Sequence, residues 1–121
     1  KIKGVILYFR IVLNLKSIIM SKHHQVVVIG GGTGGIMTAA QLKKAKKSLD
    51  IAIIDPTDTH SYQPANTLVG AGLMKYEATI RQEENLIPKG VSWIKERVLD
   101  IQPDNNEVIL ENGDKITYDY L

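Results

Sequence analysis

The segment QVVVIGGGTGGIMTAAQLKKAKKSLDIAIID, residues 25–55, carries the strongest structural signals in the chain. Residues 26–29 are all β-branched, which is typical of a central parallel strand buried on both faces. A glycine-rich turn follows, and the next residues can supply the apolar stripe of a helix. A second apolar run, residues 51–54, ends at Asp55. The pattern predicts a strand, a turn, a helix and a second parallel strand joined by short connections.

The spacing Gly30-x-Gly32-x-x-Gly35 matches the fingerprint of dinucleotide-binding turns. Gly30 allows the chain to turn sharply out of the strand, and Gly32 leaves the backbone open to a pyrophosphate. Gly35 allows the helix to pack closely on the sheet, and Ala39, four residues further on, keeps that contact tight. The start of the helix presents unpaired N–H groups and a partial positive charge to the anion.

Asp55 lies 20 residues beyond Gly35, at the carboxyl end of the second strand. A carboxylate at this point can accept hydrogen bonds from both hydroxyls of an adenosine ribose, and it repels a 2′-phosphate. The expected ligand is therefore FAD or NAD in preference to NADP. Glycine-rich turns without a ligand also exist, but the acid at this distance favours a dinucleotide site.

The polar segment 56–72 is predicted to be a loop at the carboxyl ends of the parallel strands, where ligands bind in such folds. Tyr62, Gln63 and Pro64 offer an aromatic ring, an amide and a rigid turn that can border a flat ring system. An ordinary packed turn explains the same residues. His60 has no carboxylate partner in the sequence pattern, and we interpret it as an ordinary loop residue.

The rest of the chain predicts one helix and a small antiparallel β-meander. Residues 77–87 have a helix-forming composition that stops at Pro88. Strand-like runs separated by turn signals occur at residues 91–102, 107–110 and 115–121, and Trp93 is expected in the core. A parallel sheet requires more strands than these residues supply. We therefore expect residues 21–121 to be the amino-terminal part of an FAD/NAD(P)-binding domain, an incomplete α/β domain.

The composition narrows the functional classes. Hydrophobic residues make up 44% and charged residues 23% of the 121 residues, as in an ordinary globular protein. The absence of cysteine excludes a disulfide scaffold, a cysteine-ligated metal site and a thiol nucleophile within the chain, and three histidines do not favour a metal centre. Residues 1–49 contain nine Lys or Arg and no acid, but four of these lysines cluster at the end of the predicted helix. The net charge of +2 does not indicate a nucleic-acid partner.

Residues 1–20 form an atypical leader that is basic and apolar. Arg10, Asn14 and Lys16 interrupt its apolar run, which falls short of the ~20 residues that a membrane-spanning helix needs. No small-residue cleavage site of a secretory signal precedes Met20, and an amphipathic targeting arm is an alternative. Because the composition changes at Met20, we interpret residues 1–19 as non-native sequence or sequence upstream of the true start.

From HHQVVVIGGGTGGIMTAAQL through IAIIDPTDTHSYQPANTLVGAG to GVSWIKERVLDIQPDNNEVILENGDKITYDYL, the chain resembles the amino-terminal portion of the sulfide:quinone oxidoreductases. The resemblance implies a Rossmann-like βαβ unit that binds FAD. It implies that Asp55 binds the adenosine ribose and that the backbone of Val98 contacts adenine. It also implies that Gln63 and Pro64 lie near the isoalloxazine ring. The residues implied to face the pyrophosphate are Gly30, Gly32, Thr33, Gly34 and Gly35.

For a whole protein of this family, the resemblance implies oxidation of sulfide at a pair of cysteines and transfer of two electrons through FAD to a membrane quinone. Because this chain has no cysteine, no catalytic residue is assigned to it, and the chain alone is expected to be inactive. Sulfide and quinone are the implied partners. The implied location is the cytoplasm or, for a peripheral protein, the inner face of a membrane. The alternatives are a type II NADH:quinone dehydrogenase or another NAD(P)H-dependent flavoprotein, and a truncated non-catalytic nucleotide-binding module.

Overall fold

The computed structural model describes residues 21–121, so the leader predicted for residues 1–20 lies outside the described residues. The described part of the chain consists of strands and helices joined by loops and short 3-10 turns. The strands are β1 (Ser21–Ile29), β2 (Ile51–Ile54), β3 (Thr59–Ser61), β4 (Ile80–Gln82), β5 (Ser92–Ile94), β6 (Val98–Gln102), β7 (Glu107–Leu110) and β8 (Lys115–Tyr120), and the helices are α1 (Thr33–Ala45) and α2 (Asn66–Gly70).

Six of the strands form one sheet in the order β5-β2-β1-β8-β7-β6. The pairs β5–β2, β2–β1 and β1–β8 are parallel, whereas β8–β7 and β7–β6 are antiparallel. This mixed α/β architecture confirms the predicted strand–turn–helix–strand unit and the predicted meander. The β1–β2 register ends with Ile29 opposite Ile54, so Gly30 and Asp55 leave the sheet side by side.

Apolar side chains cover both faces of the sheet along β1 and β2. On one face, α1 packs Ala39 against Ile51 and Ile53, and all three side chains are fully buried. Successive side chains of a strand point to opposite faces. Val27 and Ile54 therefore pack on the other face, against a cluster from the meander that comprises Val108, Leu110, Ile116 and Tyr118. The burial of Ala39 is consistent with the close helix–strand contact predicted for α1.

The prediction of a helix over residues 77–87 is wrong, because the chain forms a 3-10 turn, β4 and a second 3-10 turn in this segment. β4 pairs with β3, with Arg81 opposite His60. Beyond β4, Glu83 donates its backbone N–H to the carbonyl of Asp58 at 2.9 Å. These tertiary hydrogen bonds override a helix-forming composition, which is a weak preference by itself.

The single strand predicted across residues 91–102 is two strands with different partners. β5 extends the parallel half of the sheet beside β2, and β6 is the outer strand of the meander. Between them the chain turns where Glu96 donates its backbone N–H to the carbonyl of Ile94 at 2.9 Å. The segment 56–72, predicted to be a loop, contains β3 and α2. Within residues 21–121, no helix is both long enough and apolar enough to cross a membrane.

Candidate functional site

A cleft of about 490 Å³ lies at the carboxyl ends of β1 and β2, beside the start of α1. This is the edge of a parallel sheet at which ligands bind in open α/β folds. The cleft brings together residues from the glycine turn, the end of β2, β3 and the turn after β4. Its lining residues are Gly31, Gly32, Thr33, Asp55, Thr57, Thr59, His60, Ser61, Gln63, Pro64 and Glu83.

Two glycines shape the turn between β1 and α1 in the way that their spacing predicts. Gly30 has a φ of +103°, a conformation that residues with a side chain rarely adopt, and its N–H donates to the carbonyl of Ile54 at 2.9 Å. A Cβ atom at Gly35 would collide with the carbonyl oxygen of Gly30 and would lie 3.1 Å from Cγ1 of Val28. The sharp turn at Gly30 and the close packing at Gly35 are therefore confirmed.

Gly32 stands at the N-cap of α1 and faces open space. A Cβ atom added there meets no protein atom within 4 Å, and the φ of −66° suits any residue. No side chain caps α1, and its first turn contains no acid. The first N–H groups of the helix therefore face the cleft with the positive end of the helix dipole, an arrangement that fits an anionic group such as a diphosphate.

The carboxylate of Asp55 is fixed beside this turn. Oδ2 accepts the N–H of Gly31 at 2.7 Å, and Oδ1 accepts the N–H of Thr57 at 2.8 Å and also the Thr57 hydroxyl. Burial raises the pKa of the Asp55 carboxyl. The hydrogen bonds from Thr57 and Gly31 and the attraction of Arg97 outweigh burial, so the pKa lies below its ordinary value. The residue is thus an ionised acceptor at neutral pH.

The backbone of Asp55 is held from β5. Its N–H donates to the carbonyl of Ile94 at 3.1 Å, and its own carbonyl accepts the indole N–H of Trp93 at 3.0 Å. Trp93, expected to be a core residue, is half-buried and serves as a hydrogen-bond donor, with Nζ of Lys95 at 4.2 Å from its ring centroid. The carboxylate therefore projects from a main chain that is bonded on both sides of its Cα.

A histidine–carboxylate pair forms the floor of the cleft. Nδ1 of His60 lies 3.2 Å from the carbonyl oxygen of Gly31 and 3.5 Å from Oε2 of Glu83. Nε2 of His60 lies 3.4 Å from the hydroxyl of Thr33, the first residue of α1. The interpretation of His60 as a loop residue without a carboxylate partner is wrong, because His60 lies in β3 and its ring faces Glu83. Glu83 lies in the segment that composition assigns to a helix, so the sequence pattern does not indicate this partner.

Glu83 is a buried acid with one unpaired oxygen. The residue is 1% exposed, and Oε1 has no hydrogen-bond partner within the described residues. Burial raises the pKa of the Glu83 carboxyl, His60 lowers it and Asp55 raises it, so the pKa lies above its ordinary value. A Cβ atom at Gly31 would collide with Oε1 of Glu83, which explains a glycine to which the fingerprint assigns no role.

The cleft gathers most of the cofactor-binding residues proposed from the sequence, but not all. Gly32, Thr33, Asp55, Gln63 and Pro64 line it. The others do not: Gly30 and Gly35 shape the turn, Gly34 lies within α1, and Val98 starts β6 and packs against the meander cluster. Contact of any of these nine residues with a cofactor stays a prediction.

A second cavity of about 520 Å³ adjoins the cleft, because His60 and Pro64 line both. Its walls come from the segment 60–86 and are mainly apolar. They include Tyr62, Ala65, Leu68, Met74, Ala78 and Leu86, together with Thr79 and Arg81. The two cavities provide a polar compartment beside the glycine turn and an apolar compartment beyond Pro64.

Comparison with protein families matches residues 24–121 to the family described as pyridine nucleotide-disulphide oxidoreductase. The chain is 41% identical over 99 residues to the mitochondrial sulfide:quinone oxidoreductase of Mus musculus, a match that covers 82% of this chain and 22% of the mouse protein. It is 43% identical over 51 residues to a type II NADH:quinone oxidoreductase of Mycobacterium tuberculosis, which covers 42% of this chain and 10% of that protein.

Among solved structures, the fold is similar to the X-ray structure of the sulfide:quinone oxidoreductase from the hyperthermophilic bacterium Aquifex aeolicus. The TM-score is 0.72 at 40% sequence identity, covering 83% of this chain and 23% of that chain. The present chain thus spans less than a quarter of the length of these relatives.

Proposed function

Because the chain belongs to the pyridine nucleotide-disulphide oxidoreductase family, we propose that it is the FAD-binding part of a sulfide:quinone oxidoreductase. The activity proposed for the whole protein is transfer of two electrons from sulfide through FAD to a quinone. The observation that carries the proposal is the cleft in which an uncapped helix start, the open Gly32 and an ionised Asp55 meet.

The comparisons favour sulfide over NADH as the electron donor. The sulfide:quinone relative from mouse matches 82% of this chain, whereas the type II NADH:quinone relative matches 42%. The similarity to the sulfide enzymes therefore extends beyond the glycine turn, which dinucleotide-binding folds share in general. This difference makes the NADH-dependent activity the second candidate.

In the proposed function, the residues of this chain bind and orient the cofactor. The N–H groups at the start of α1 donate to the diphosphate, and Gly32 allows its close approach. A carboxylate offers about four acceptor sites, of which Asp55 uses three, so Oδ2 can accept a further hydrogen bond from a ribose hydroxyl. Accepting the second hydroxyl requires the Thr57 hydroxyl to turn away from Oδ1.

The isoalloxazine ring is proposed to lie beside Gln63 and Pro64, at the passage between the two cavities. Pro64 and its apolar neighbours can exclude water from one face of a flat ring, and the flavin supplies the two-electron chemistry when bound. The chain contains no cysteine, so the cysteine pair is proposed for another part of the whole protein. Since a quinone acceptor resides in a membrane, the proposal includes peripheral attachment to the inner face of a membrane.

Substitution of Gly32 tests the cofactor site at a position that has open space for a side chain. Because no protein atom lies within 4 Å of its Cβ position, the side chain of Gly32→Val occupies the space that the ligand is proposed to fill. We expect the affinity of the complete protein for FAD to fall by at least about a hundredfold, since two or more hydrogen bonds to charged phosphate, each worth about 1.5–3 kcal/mol, are lost. Gly70→Val is the matched control, because its Cβ position in α2 is equally open and lies outside the cleft.

Both variants are compared with wild type by the flavin absorbance of the purified protein and by titration of the apoprotein with FAD. If Gly32→Val binds FAD as tightly as Gly70→Val, the diphosphate does not lie at this turn and the proposal is wrong. Reduction of the bound flavin by sulfide but not by NADH supports the first candidate, and reduction by NADH alone supports the second. A wild-type protein that binds no flavin supports the non-catalytic module.

A further inference from the structure

The cleft contains acids but no lysine or arginine among its lining residues in the described part of the chain. Asp55 and Glu83 are its two carboxyl groups, and His60 is its one further titratable side chain. A diphosphate placed at the start of α1 therefore meets two acidic groups without a permanently charged side chain to offset them. Among residues 21–121, His60 is the lining residue whose side chain can carry a positive charge, and Glu83 is its carboxylate partner.

The hydrogen bonds of His60 orient its ring toward the start of α1. The carbonyl oxygen of Gly31 can only accept, so Nδ1 of His60, at 3.2 Å, is the donor in that bond. Oε2 of Glu83, 3.5 Å from Nδ1, stabilises a positive charge on the same ring. Nε2 is then the nitrogen directed to Thr33, at 3.4 Å from its hydroxyl, where a diphosphate bound to α1 is expected.

We infer that His60 is a dinucleotide-binding residue with Glu83 as the positioning residue behind it, and that this pair takes up a proton when the dinucleotide binds. In the protonated pair, the His60 imidazolium donates Nε2–H to a phosphate oxygen while Nδ1–H remains bonded to Gly31 and faces Glu83. The proton comes from solvent. This inference rests on the proposed function, because it assumes that the cleft holds the FAD diphosphate.

Near neutral pH, the other charged groups around the pair already have partners within the described residues. The pKa of Asp55 is lowered, so Asp55 stays ionised throughout that range. Arg81, opposite His60 on β4, donates Nη1 to the carbonyls of Ala78 and Ile80. No acid occupies the first turn of α1. The remaining charged groups nearby are Asp58 and Lys95, which pair at 2.7 Å, and Arg97, which attracts Asp55.

The test is the pH dependence of FAD affinity in the complete protein, measured by quenching of flavin fluorescence on titrating the apoprotein from about pH 5.5 to about pH 9. If the complex holds one proton more than the free protein, binding becomes weaker as the pH rises. The wild-type Kd should then increase by up to about tenfold per pH unit in the range where the free pair has lost its proton and the bound pair retains it. The double variant with His60→Gln and Glu83→Gln keeps similar side-chain shapes but cannot titrate. We expect its Kd to be independent of pH and, at low pH, about tenfold to a hundredfold weaker than wild type.

The matched control is His24→Gln. His24 is a buried histidine whose Nδ1 lies 3.0 Å from Oδ2 of Asp50, at the opposite end of β1 from the cleft, and this variant should keep the wild-type pH profile. If the double variant does not fold, Glu83→Gln alone decides the question, because loss of the carboxylate should shift the rise of Kd to lower pH. A wild-type Kd that is independent of pH, or a variant profile that follows the wild type, overturns the inference while leaving the proposed function intact. A wild-type protein that binds no FAD overturns both.

Discussion

Replacing Gly31 by alanine should destabilise the glycine turn through one specific contact. The added Cβ would collide with Oε1 of Glu83 and lie 3.0 Å from its Cδ and 3.2 Å from Cβ of Asp55. Overpacking of this kind costs about 1–3 kcal/mol, and the lower entropy of the unfolded alanine chain offsets about 0.4–1 kcal/mol. We therefore expect Gly31→Ala to reduce the free energy of opening of the β1–α1–β2 unit by about 1–2 kcal/mol.

The physical reason can be isolated with a double-mutant cycle. In a Glu83→Ala background the colliding carboxyl is gone and only the 3.2 Å contact with Cβ of Asp55 remains, so Gly31→Ala should cost little or stabilise the turn by up to about 1 kcal/mol. The coupling free energy between the two positions should then be at least about 1 kcal/mol, above the ~0.3–0.5 kcal/mol within which independent sites add. Gly34→Ala, whose Cβ meets no atom within 4 Å, is the matched control and should not destabilise α1.

Native-state hydrogen exchange of peptides covering residues 25–55, read by mass spectrometry in the complete protein, measures the local free energy of opening. The expected loss for Gly31→Ala corresponds to exchange that is about fivefold to thirtyfold faster. If the same acceleration persists when Glu83 is alanine, the contact between Gly31 and Glu83 does not restrict the turn, and the reasoning is refuted.

Two further predictions concern Asp55 and are measured by the same exchange experiment. Asp55→Asn should lower the free energy of opening at pH 7 by about 1–3 kcal/mol, because the charge-assisted bonds from Gly31 and Thr57 are lost. The pKa of Asp55 is lowered in the folded protein, so its stabilisation is fully present above the unfolded pKa of about 4 and is lost as the pH falls through the folded value. The difference between variant and wild type should therefore shrink in acid, and a difference that is constant with pH would contradict this assignment. Trp93→Phe should cost about 1 kcal/mol by removing the indole N–H that donates to the Asp55 carbonyl, whereas an unchanged exchange rate would show that this hydrogen bond contributes nothing.

Local sequence signals were sufficient to predict the strand, turn, helix and strand of residues 25–55. The β-branched run before Gly30, the isoleucines that end at Asp55 and the three fingerprint glycines each carry their structural reason within a few residues. The same holds for the meander, whose turns at 103–106 and 112–114 are rich in Asn, Asp and Gly. These elements form as predicted because local preference and tertiary packing agree.

The floor of the cleft could not be predicted, because its partners are distant in the sequence. His60 and Glu83 meet only when β3 pairs with β4, and the segment containing Glu83 has a helix-forming composition that this pairing overrides. The constraint on Gly31 depends in turn on Glu83, so no pattern within the glycine fingerprint contains it. A buried acid in the turn that follows a short strand leaves no periodic signal.

The hydrogen bonds from β5 fix Asp55, and the β3–β4 pair fixes the two ends of the segment between those strands. Changes within that segment can therefore alter the second cavity while Asp55 keeps its position. The excursion from Tyr62 to Thr79 is closed at its base by a backbone hydrogen bond of 3.0 Å between those two residues. Residues inserted or exchanged within that excursion change the apolar compartment without displacing Asp55, whose position is set by strands outside it. Asp55 and the apolar compartment are thus held by separate parts of the fold, so the compartment can change while the position of Asp55 is preserved.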